Sequence, residues 1–369
     1  MLRLLKESLR MYRRKLSFKG FHQYKGDHKT ICKAIINDCF DPKKQFFRTS
    51  TGHFNQFYSR DFGLCTGPLL KLGYKGEVHR TLQYALSIFS RHNAITTQIT
   101  PDNIPVNSFH QSTDSLPFLL RSLRLAKATD LVEVYRPFLQ EQALEYKEKV
   151  IDSSTGLVKS HRYFSSMKDG YKRNSSCYDN CCASLLQQEL NSLHLRNPLK
   201  KYNYEKLILD NFWNGKYFYD DLDKDKYVAG DANTFPFYFD IITDKNIKKK
   251  ALTSIHTEKL DKPLPLKYTN TRNKKKELFW PKVLAPNYEG NTTWLHLGMA
   301  YIEVIQPHDK KLAGQYLKKV KELIEKHKTF PEVLNPDSTP YSSPFYQCDE
   351  GMLWASIYLS LISDGTYGV

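Results

Sequence analysis

Two acidic residues of this 369-residue chain stand apart, because each lies in a polar loop that leads into an apolar stretch of helix length. Asp114 lies in Ser-Thr-Asp-Ser-Leu-Pro (112–117), and Glu332 lies in Phe-Pro-Glu-Val (330–333). Most enzymes that hydrolyse a glycosidic bond use two carboxyl groups that face one pocket. The sequence therefore raises the question of which elements would bring these two loops together.

Each acidic residue also has a plainer interpretation. Asp114 precedes an apolar helix and could serve only as its N-cap, and Glu332 could be an exposed loop acid. Arg60 and Asp61, in Tyr-Ser-Arg-Asp-Phe (58–62), could form a structural ion pair or could grip vicinal hydroxyls of a sugar. The chain also offers rival bases, at Glu289 and at Glu350 beside Asp349.

The dominant period of the apolar residues is helical, with about a dozen stretches of helix length. Those that open near 62, 112, 176, 231, 288 and 348 are apolar nearly all round, whereas those that open near 75, 129, 203, 245 and 309 carry a charged face. A helix that is apolar all round is buried, and a helix with a charged stripe faces water. The alternation predicts an all-α fold of two concentric rings, an (α/α)6 toroid of six helical hairpins.

Polar and aromatic segments precede the stretches predicted to be buried. In a toroid these loops converge at one end of the inner ring. Aromatic rings stack on sugar rings, and carboxylates and amides bond sugar hydroxyls. The loops therefore predict a sugar pocket, and they span 54–62, 107–114, 165–180, 227–237, 280–294 and 330–349.

Four segments, in order over about 50–365, resemble motifs of the six-hairpin glycosidases, nearest the glucosidase domain of glycogen-debranching enzymes and the neutral/alkaline invertases. Segment 58–62 resembles their Arg-Asp-Phe/Trp motif, and 112–116 resembles their Val-Asp-Ser/Ala segment. Segment 212–220, with Gly-Asp-Ala-Asn at 230–233, resembles a Phe-Trp…Gly-Tyr-Phe-Tyr-Asp run, and 330–332 resembles a Pro-Glu segment. The chain departs from these families where Tyr-Glu-Gly-Asn (288–291) replaces Tyr-His-Asn-Gly.

The resemblance implies an inverting, exo-acting, α-glucosidase-like glycoside hydrolase that acts on an oligosaccharide or polysaccharide without a metal or cofactor. It implies that Asp114 is the general acid and Glu332 the general base. The residues that it implies for substrate binding are Arg60, Asp61, Tyr178, Asp179, Asp231, Asn233, Tyr288, Glu289 and Trp294.

Two other functions stay open on the same fold. A sugar epimerase or polysaccharide lyase would use a histidine or tyrosine as its base, with His110 and His296 as candidates. A non-catalytic glycan-binding protein would keep the pocket without turnover. The sequence contains no P-loop, dinucleotide fingerprint or nucleophile elbow.

Composition narrows the range of partners. The net charge of +16, from 55 basic and 39 acidic residues, suggests an anionic partner, but the lysines are spread as on solvated helix faces, so no nucleic-acid role is predicted. Seven cysteines, an odd number without repeated spacing, favour a reducing, cytoplasmic location over a disulfide framework. No apolar run reaches the ~18 residues of a membrane span.

The chain is predicted to comprise a basic amphipathic helix at 1–25 and a single catalytic barrel at 26–369. Leu2, Leu5, Leu9 and Leu16 recur at helical spacing among basic residues. This helix either docks on the barrel or serves at a membrane surface or as a targeting segment.

Overall fold

The computed structural model of the protein describes residues 2–109 and 111–363, with side chains described from residue 9 onward. Within this part the helices are α1 (Leu2–Ser17), α2 (His28–Cys39), α3 (Ser59–Lys71), α4 (Lys75–Arg91), α5 (Ser115–Leu125), α6 (Thr129–Val134), α7 (Arg136–Val150), α8 (Cys177–Ser192), α9 (Tyr204–Phe212), α10 (Phe235–Tyr238), α11 (Lys245–Thr257), α12 (Phe279–Leu284), α13 (Leu295–Ile305), α14 (Lys310–His327) and α15 (Ala355–Ile362).

Six helices form a closed inner ring. α3 packs on α5, α5 on α8, α8 on α10, α10 on α13, α13 on α15, and α15 returns to α3. An outer layer covers this ring, with α4 against α3 and α5, α9 against α8, α14 against α13, and α2 against α15 and α14. The predicted (α/α)6 toroid is confirmed.

The inner and outer helices differ in sequence because inner helices touch protein on all sides and outer helices touch it on one side. In α13 every residue except Glu303 is buried, so this helix touches protein on all sides. In α14 the buried residues recur every three or four positions, from Ala313 to Ile324, and the lysines face water. This contrast between all-round and one-sided burial is the physical basis of the alternation in the sequence.

Side-chain caps fix where several helices begin. The Ser176 hydroxyl accepts a hydrogen bond from the Asp179 amide at 3.0 Å at the start of α8. The Asp244 carboxylate accepts from the amides of Asn246 and Ile247 at the start of α11. Such caps satisfy amides that have no partner within the helix.

Short strands join the loops at one end of the barrel. They are β1 (Phe40–Asp41), β2 (Phe46–Phe47), β3 (Phe57–Tyr58), β4 (Gln98–Ile99), β5 (Pro105–Val106), β6 (Thr293–Trp294) and β7 (Val333–Leu334). β3 pairs antiparallel with β4, so that Tyr58 lies opposite Gln98, and β6 pairs antiparallel with β7, so that Trp294 lies opposite Val333. The second pair places Glu332 beside Trp294.

Three inner helices begin later than their apolar stretches predicted. α10 begins at Phe235, α13 at Leu295 and α15 at Ala355, whereas the apolar stretches open near 231, 288 and 348. The preceding residues form turns and short strands at the barrel end, where they build the cavity described below. The predicted exposed helix at 129–149 is divided into α6 and α7.

All seven cysteines are free and buried. Over the described ranges, no helix combines the length and apolarity that crossing a bilayer requires. The same residues include no group of three or more His, Cys, Asp or Glu side chains placed to hold a metal ion.

Candidate functional site

A cavity of about 250 Å³ lies at the end of the barrel where the inner helices begin. Its walls come from loops that are far apart in the sequence, including 49–61, 108, 166–169, 288–294, 332 and 352–354. Four carboxyl groups line it, and aromatic rings separate them. They belong to Asp61, Asp169, Glu289 and Glu332.

The carboxyl group of Glu332 is held by three donors. The hydroxyl of Tyr288, the hydroxyl of Tyr346 at 2.7 Å and the amide of Asp349 at 2.8 Å all donate to it. The side chain is buried. Burial, together with the nearby charge of Asp349, raises the pKa of Glu332 to about 8, although the three hydrogen bonds oppose this shift.

A second pair of carboxyl groups belongs to Asp169, on the loop that precedes α8, and to Glu289, on the loop that precedes α13. The amides of Asp169 and Gly170 donate to the Glu289 carboxylate at 3.1 and 2.5 Å. Asp169 in turn accepts from the Ser166 amide at 2.7 Å. Burial raises the pKa of Asp169 to about 6, and burial with the charge of Asp169 raises the pKa of Glu289 to about 7. Both groups therefore titrate close to neutral pH.

Glycine is required at position 170 by a close approach. A Cβ there would lie 2.8 Å from Oε2 of Glu289 and 3.2 Å from Cβ of Pro281. The absence of a side chain thus lets the backbone come close enough to bind Glu289.

Arg60 and Asp61 begin α3 and both line the cavity. Nη1 of Arg60 donates to the Ser166 carbonyl at 2.7 Å and lies 3.3 Å from the Asp114 carboxylate. Nη2 of Arg60 lies 3.6 Å from Asp61. Burial raises the pKa of Asp61, while Arg60 opposes the shift.

Asp114 lies behind Arg60 and is not among the cavity-lining residues that the structure describes. Its carboxylate accepts hydrogen bonds from Ser112 at 2.9 Å and from the Tyr178 hydroxyl at 3.1 Å. Although it is the N-cap residue of α5, its side chain makes no capping bond. Burial raises the pKa of Asp114, and the charge of Arg60 lowers it.

Two tryptophans form much of the aromatic wall. Nε1 of Trp294 donates to the Tyr288 carbonyl at 2.8 Å, and Nε1 of Trp354 donates to Asp61 at 3.0 Å. His296 packs against both rings, with centroids 5.2 and 4.7 Å away. Burial holds the pKa of His296 well below its usual range. The other histidine considered as a base, His110, lies outside the described residues.

Six of the eleven residues predicted for the site meet at this cavity: Arg60, Asp61, Tyr288, Glu289, Trp294 and Glu332. Besides Asp114, four predicted residues are buried among protein partners instead. Tyr178 bonds Asp114, and Asp179 accepts from Thr113 at 2.7 Å. Asp231 pairs with Arg173 at 2.7 Å, and Asn233 bonds the backbone of Phe218.

The sequence prediction missed Asp169. The residue lies in one of the polar segments expected to build the pocket, 165–180, and Gly170 follows it, which is a turn signal. Its position depends on distant partners, because the Leu278 amide donates to the Gly170 carbonyl at 2.8 Å and Glu289 is bound by two amides of the same loop.

Solved structures share this architecture. The chain superposes on a rhamnosidase from Klebsiella oxytoca with a TM-score of 0.65 and 12% identity, over 96% of this chain and 66% of that one. A GH63 mannosylglycerate hydrolase from Thermus thermophilus gives 0.63 and 11%, over 90% and 99%. A wild-type glycosidase gives 0.62 and 11%, over 98% of both chains. This chain has the six-hairpin (α/α)6 toroid fold of these structures.

The likeness is one of structure, since the sequence matches no protein-family model and no curated protein. In this six-hairpin fold, the cavity lies at the end of the inner ring where the carboxyl-bearing loops converge.

Proposed function

We propose that the protein is an inverting, exo-acting glycoside hydrolase of α-glucosidase-like specificity, with Asp169 as general acid and Glu332 as general base. The observation that carries the proposal is that both carboxyl groups line one cavity walled by aromatic rings. The acid role implied for Asp114 by the resemblance moves to Asp169, because Asp114 lies behind Arg60.

Asp169 suits the acid role because it reaches the cavity and can hold a proton near neutral pH. Its raised pKa of about 6 follows from burial. The Ser166 amide holds one carboxyl oxygen. The acid protonates the glycosidic oxygen as the bond to the anomeric carbon breaks.

Glu332 suits the base role because its hydrogen-bond partners fix the orientation of its carboxyl group and oppose the rise of its pKa to about 8 that burial and Asp349 cause. Two tyrosine hydroxyls and one amide donate to it. The carboxylate takes a proton from a water that attacks the anomeric carbon on the face opposite the leaving group. This displacement inverts the configuration at that carbon.

The remaining walls suit a single sugar residue. Arg60, Asp61 and Glu289 present charged groups for hydroxyls, and the rings of Trp294 and Trp354 present flat apolar faces. A cavity of about 250 Å³ favours one terminal unit over an internal stretch of polysaccharide, which supports an exo-acting enzyme.

Substrates that differ in their leaving group test the two roles. Asp169→Asn should lower kcat/KM on a disaccharide by about 10²- to 10⁴-fold, the usual worth of general acid catalysis. It should retain far more activity on a dinitrophenyl glycoside, whose leaving group needs no proton. Glu332→Gln should lose activity on both substrates.

Proton NMR of the first-formed sugar should show the anomer opposite to that of the substrate. Retention of configuration, or an Asp169→Asn enzyme with full activity on the disaccharide, would contradict the proposal. The matched control is Glu205→Gln, which alters an exposed carboxyl group on the outer helix α9.

A further inference from the structure

Helix α1 contributes a residue to the wall of the cavity. Met11 lines it together with residues of the barrel loops, such as Phe54, Tyr58 and Met352. The ring of Tyr12, the next residue of α1, lies 5.7 Å from that of Phe345. The helix therefore lies across the loops at the cavity end of the barrel, and part of the sugar site is formed by a segment outside the two rings.

Polar side chains on the same helix bond two segments at this end of the barrel, one at residues 55–56 and one at residues 347–350. Arg10 donates to Asn55 at 2.7 Å and to Gln56 at 2.8 Å. Arg14 is paired with Glu350, and Nζ of Lys15 lies 3.4 Å from Oε1 of Gln347. The contacts are mostly charged and only partly buried, so they hold the helix less firmly than an apolar interface would.

The sequence offers Glu350 as a possible catalytic base, but in the structure its carboxylate holds α1 in place. Its carboxylate accepts from Arg14 and from the amide of His22. It thus fastens both the helix and the segment that follows it. Among the described residues that line the cavity, Glu350 is absent.

A short connection with conformational freedom joins α1 to the barrel. Gly20 has φ +120°, a conformation that favours glycine, and no atom would lie within 4 Å of a Cβ at this position. Lys19 and Gly20 are exposed. Four residues later, Tyr24 is fixed to the barrel, because its amide donates to the Lys328 carbonyl at 2.9 Å.

We propose that α1 is a movable wall of the sugar site, with Met11 as a specificity-determining residue. In the docked position Met11 closes the cavity around one sugar unit. When the contact between Arg14 and Glu350 breaks, α1 turns about Gly20, and the cavity opens for product release and for longer glycans. The specificity part of this inference rests on the proposed glycosidase function, whereas the movement of the helix does not.

Thiol labelling measures the movement without any turnover. All seven native cysteines are buried, so a cysteine introduced on α1 is the reactive thiol. Met11→Cys should react with a maleimide about tenfold more slowly than Leu16→Cys, the matched control at a position 69% exposed on the same helix. Adding Arg14→Gln should speed labelling at position 11 about tenfold and leave position 16 unchanged.

Equal labelling rates at positions 11 and 16, or an Arg14→Gln change without effect on position 11, would overturn the movable wall whether or not the protein hydrolyses glycosides. Steady-state kinetics test the specificity. Met11→Ala should raise kcat/KM for a maltotetraose relative to maltose, and Leu16→Ala should leave the ratio unchanged. An unaltered ratio in Met11→Ala would remove the specificity role.

Discussion

Asp169 and Asp114 offer a comparison at the scale of single residues. Both are aspartates near Arg60, but Asp114 is buried, whereas Asp169 is partly exposed and lines the cavity. Asp114→Asn should lower kcat/KM by no more than about tenfold, since its carboxylate does not line the cavity and contacts Arg60, which does. Asp169→Asn should cost far more. The measurement is kcat/KM on one disaccharide for both variants, and a larger loss in Asp114→Asn would return the acid role to that residue.

The pKa values of the two proposed catalytic groups predict a bell-shaped pH profile. The active form holds one proton on the pair, with Asp169 protonated and Glu332 ionised. Because the pKa of Glu332, about 8, exceeds that of Asp169, about 6, this is the less populated of the two singly protonated forms at every pH. Below pH 6 both groups are protonated and no base remains, whereas above pH 8 both are ionised and no acid remains, given pKa values of about 6 and about 8.

The profile of kcat/KM against pH should therefore peak between these values. Glu332→Gln should remove one limb from the residual activity. A wild-type profile that is flat from pH 5 to 9 would contradict the assignment.

At the scale of elements, the turn around Gly170 joins the loop before α8 to the loop before α13. Gly170→Ala would place a methyl group 2.8 Å from Oε2 of Glu289, so the turn must shift or Glu289 must leave its two amide donors. We expect kcat/KM to fall about tenfold or more, because a displacement near 1 Å disrupts catalytic geometry.

The control for this change is Gly67→Ala in α3, where the nearest atom to the new Cβ is 3.8 Å away. Alanine favours a helix interior by about 1 kcal/mol over glycine, so this variant should keep its activity and unfold at an equal or higher temperature. Equal activities for the two variants would show that the turn tolerates a side chain.

The helices could be predicted from the sequence because their positions depend on a local signal. All-round burial in α13 and one-sided burial in α14 each leave a periodic pattern in the chain. The six-hairpin arrangement followed from the alternation of such patterns. Six residues named from the same loops line one cavity in the structure: Arg60, Asp61, Tyr288, Glu289, Trp294 and Glu332.

The features of the site that the sequence did not predict depend on contacts between segments that are far apart in the chain. Asp169 is placed by backbone bonds from 278 to 170 and from 172 to 276, which leave no periodic pattern. Asp231 and Asn233 lie before an inner helix, as expected of pocket residues, but their side chains bond Arg173 and the backbone of Phe218. Position ahead of a buried helix does not distinguish a residue that faces the cavity from one that ties two loops.

At the scale of the whole molecule, the carboxyl groups around the cavity should reduce stability at alkaline pH. The folded-state pKa values of Glu289 and Glu332, about 7 and about 8, exceed the unfolded value near 4.3. The folded protein therefore binds more protons than the unfolded chain in this range, and its stability falls as pH rises through it, by up to about 1.4 kcal/mol per pH unit for each such group.

The Tm should accordingly drop between about pH 5 and pH 8.5. Glu332→Gln should unfold at a higher Tm than the wild type at the alkaline end and lose this advantage at the acidic end. Glu205→Gln, which alters an exposed carboxyl group, should follow the wild type. A Glu332→Gln protein that is less stable than the wild type at pH 8.5 would contradict the prediction.

The packing of α15 against α3 affects how the chain folds while it is being synthesised. The indole of Trp354 donates to Asp61, so the last inner helix and the first share one wall of the cavity. Helix α3, with Arg60 and Asp61, is synthesised early. The surface of α3 that packs on α15 stays exposed until α15 has emerged from the ribosome. A surface that stays exposed for so long favours binding of the growing chain by chaperones. A translation product that stops before residue 332 would hold most of the helices but would lack Glu332, Met352 and Trp354 of the cavity wall.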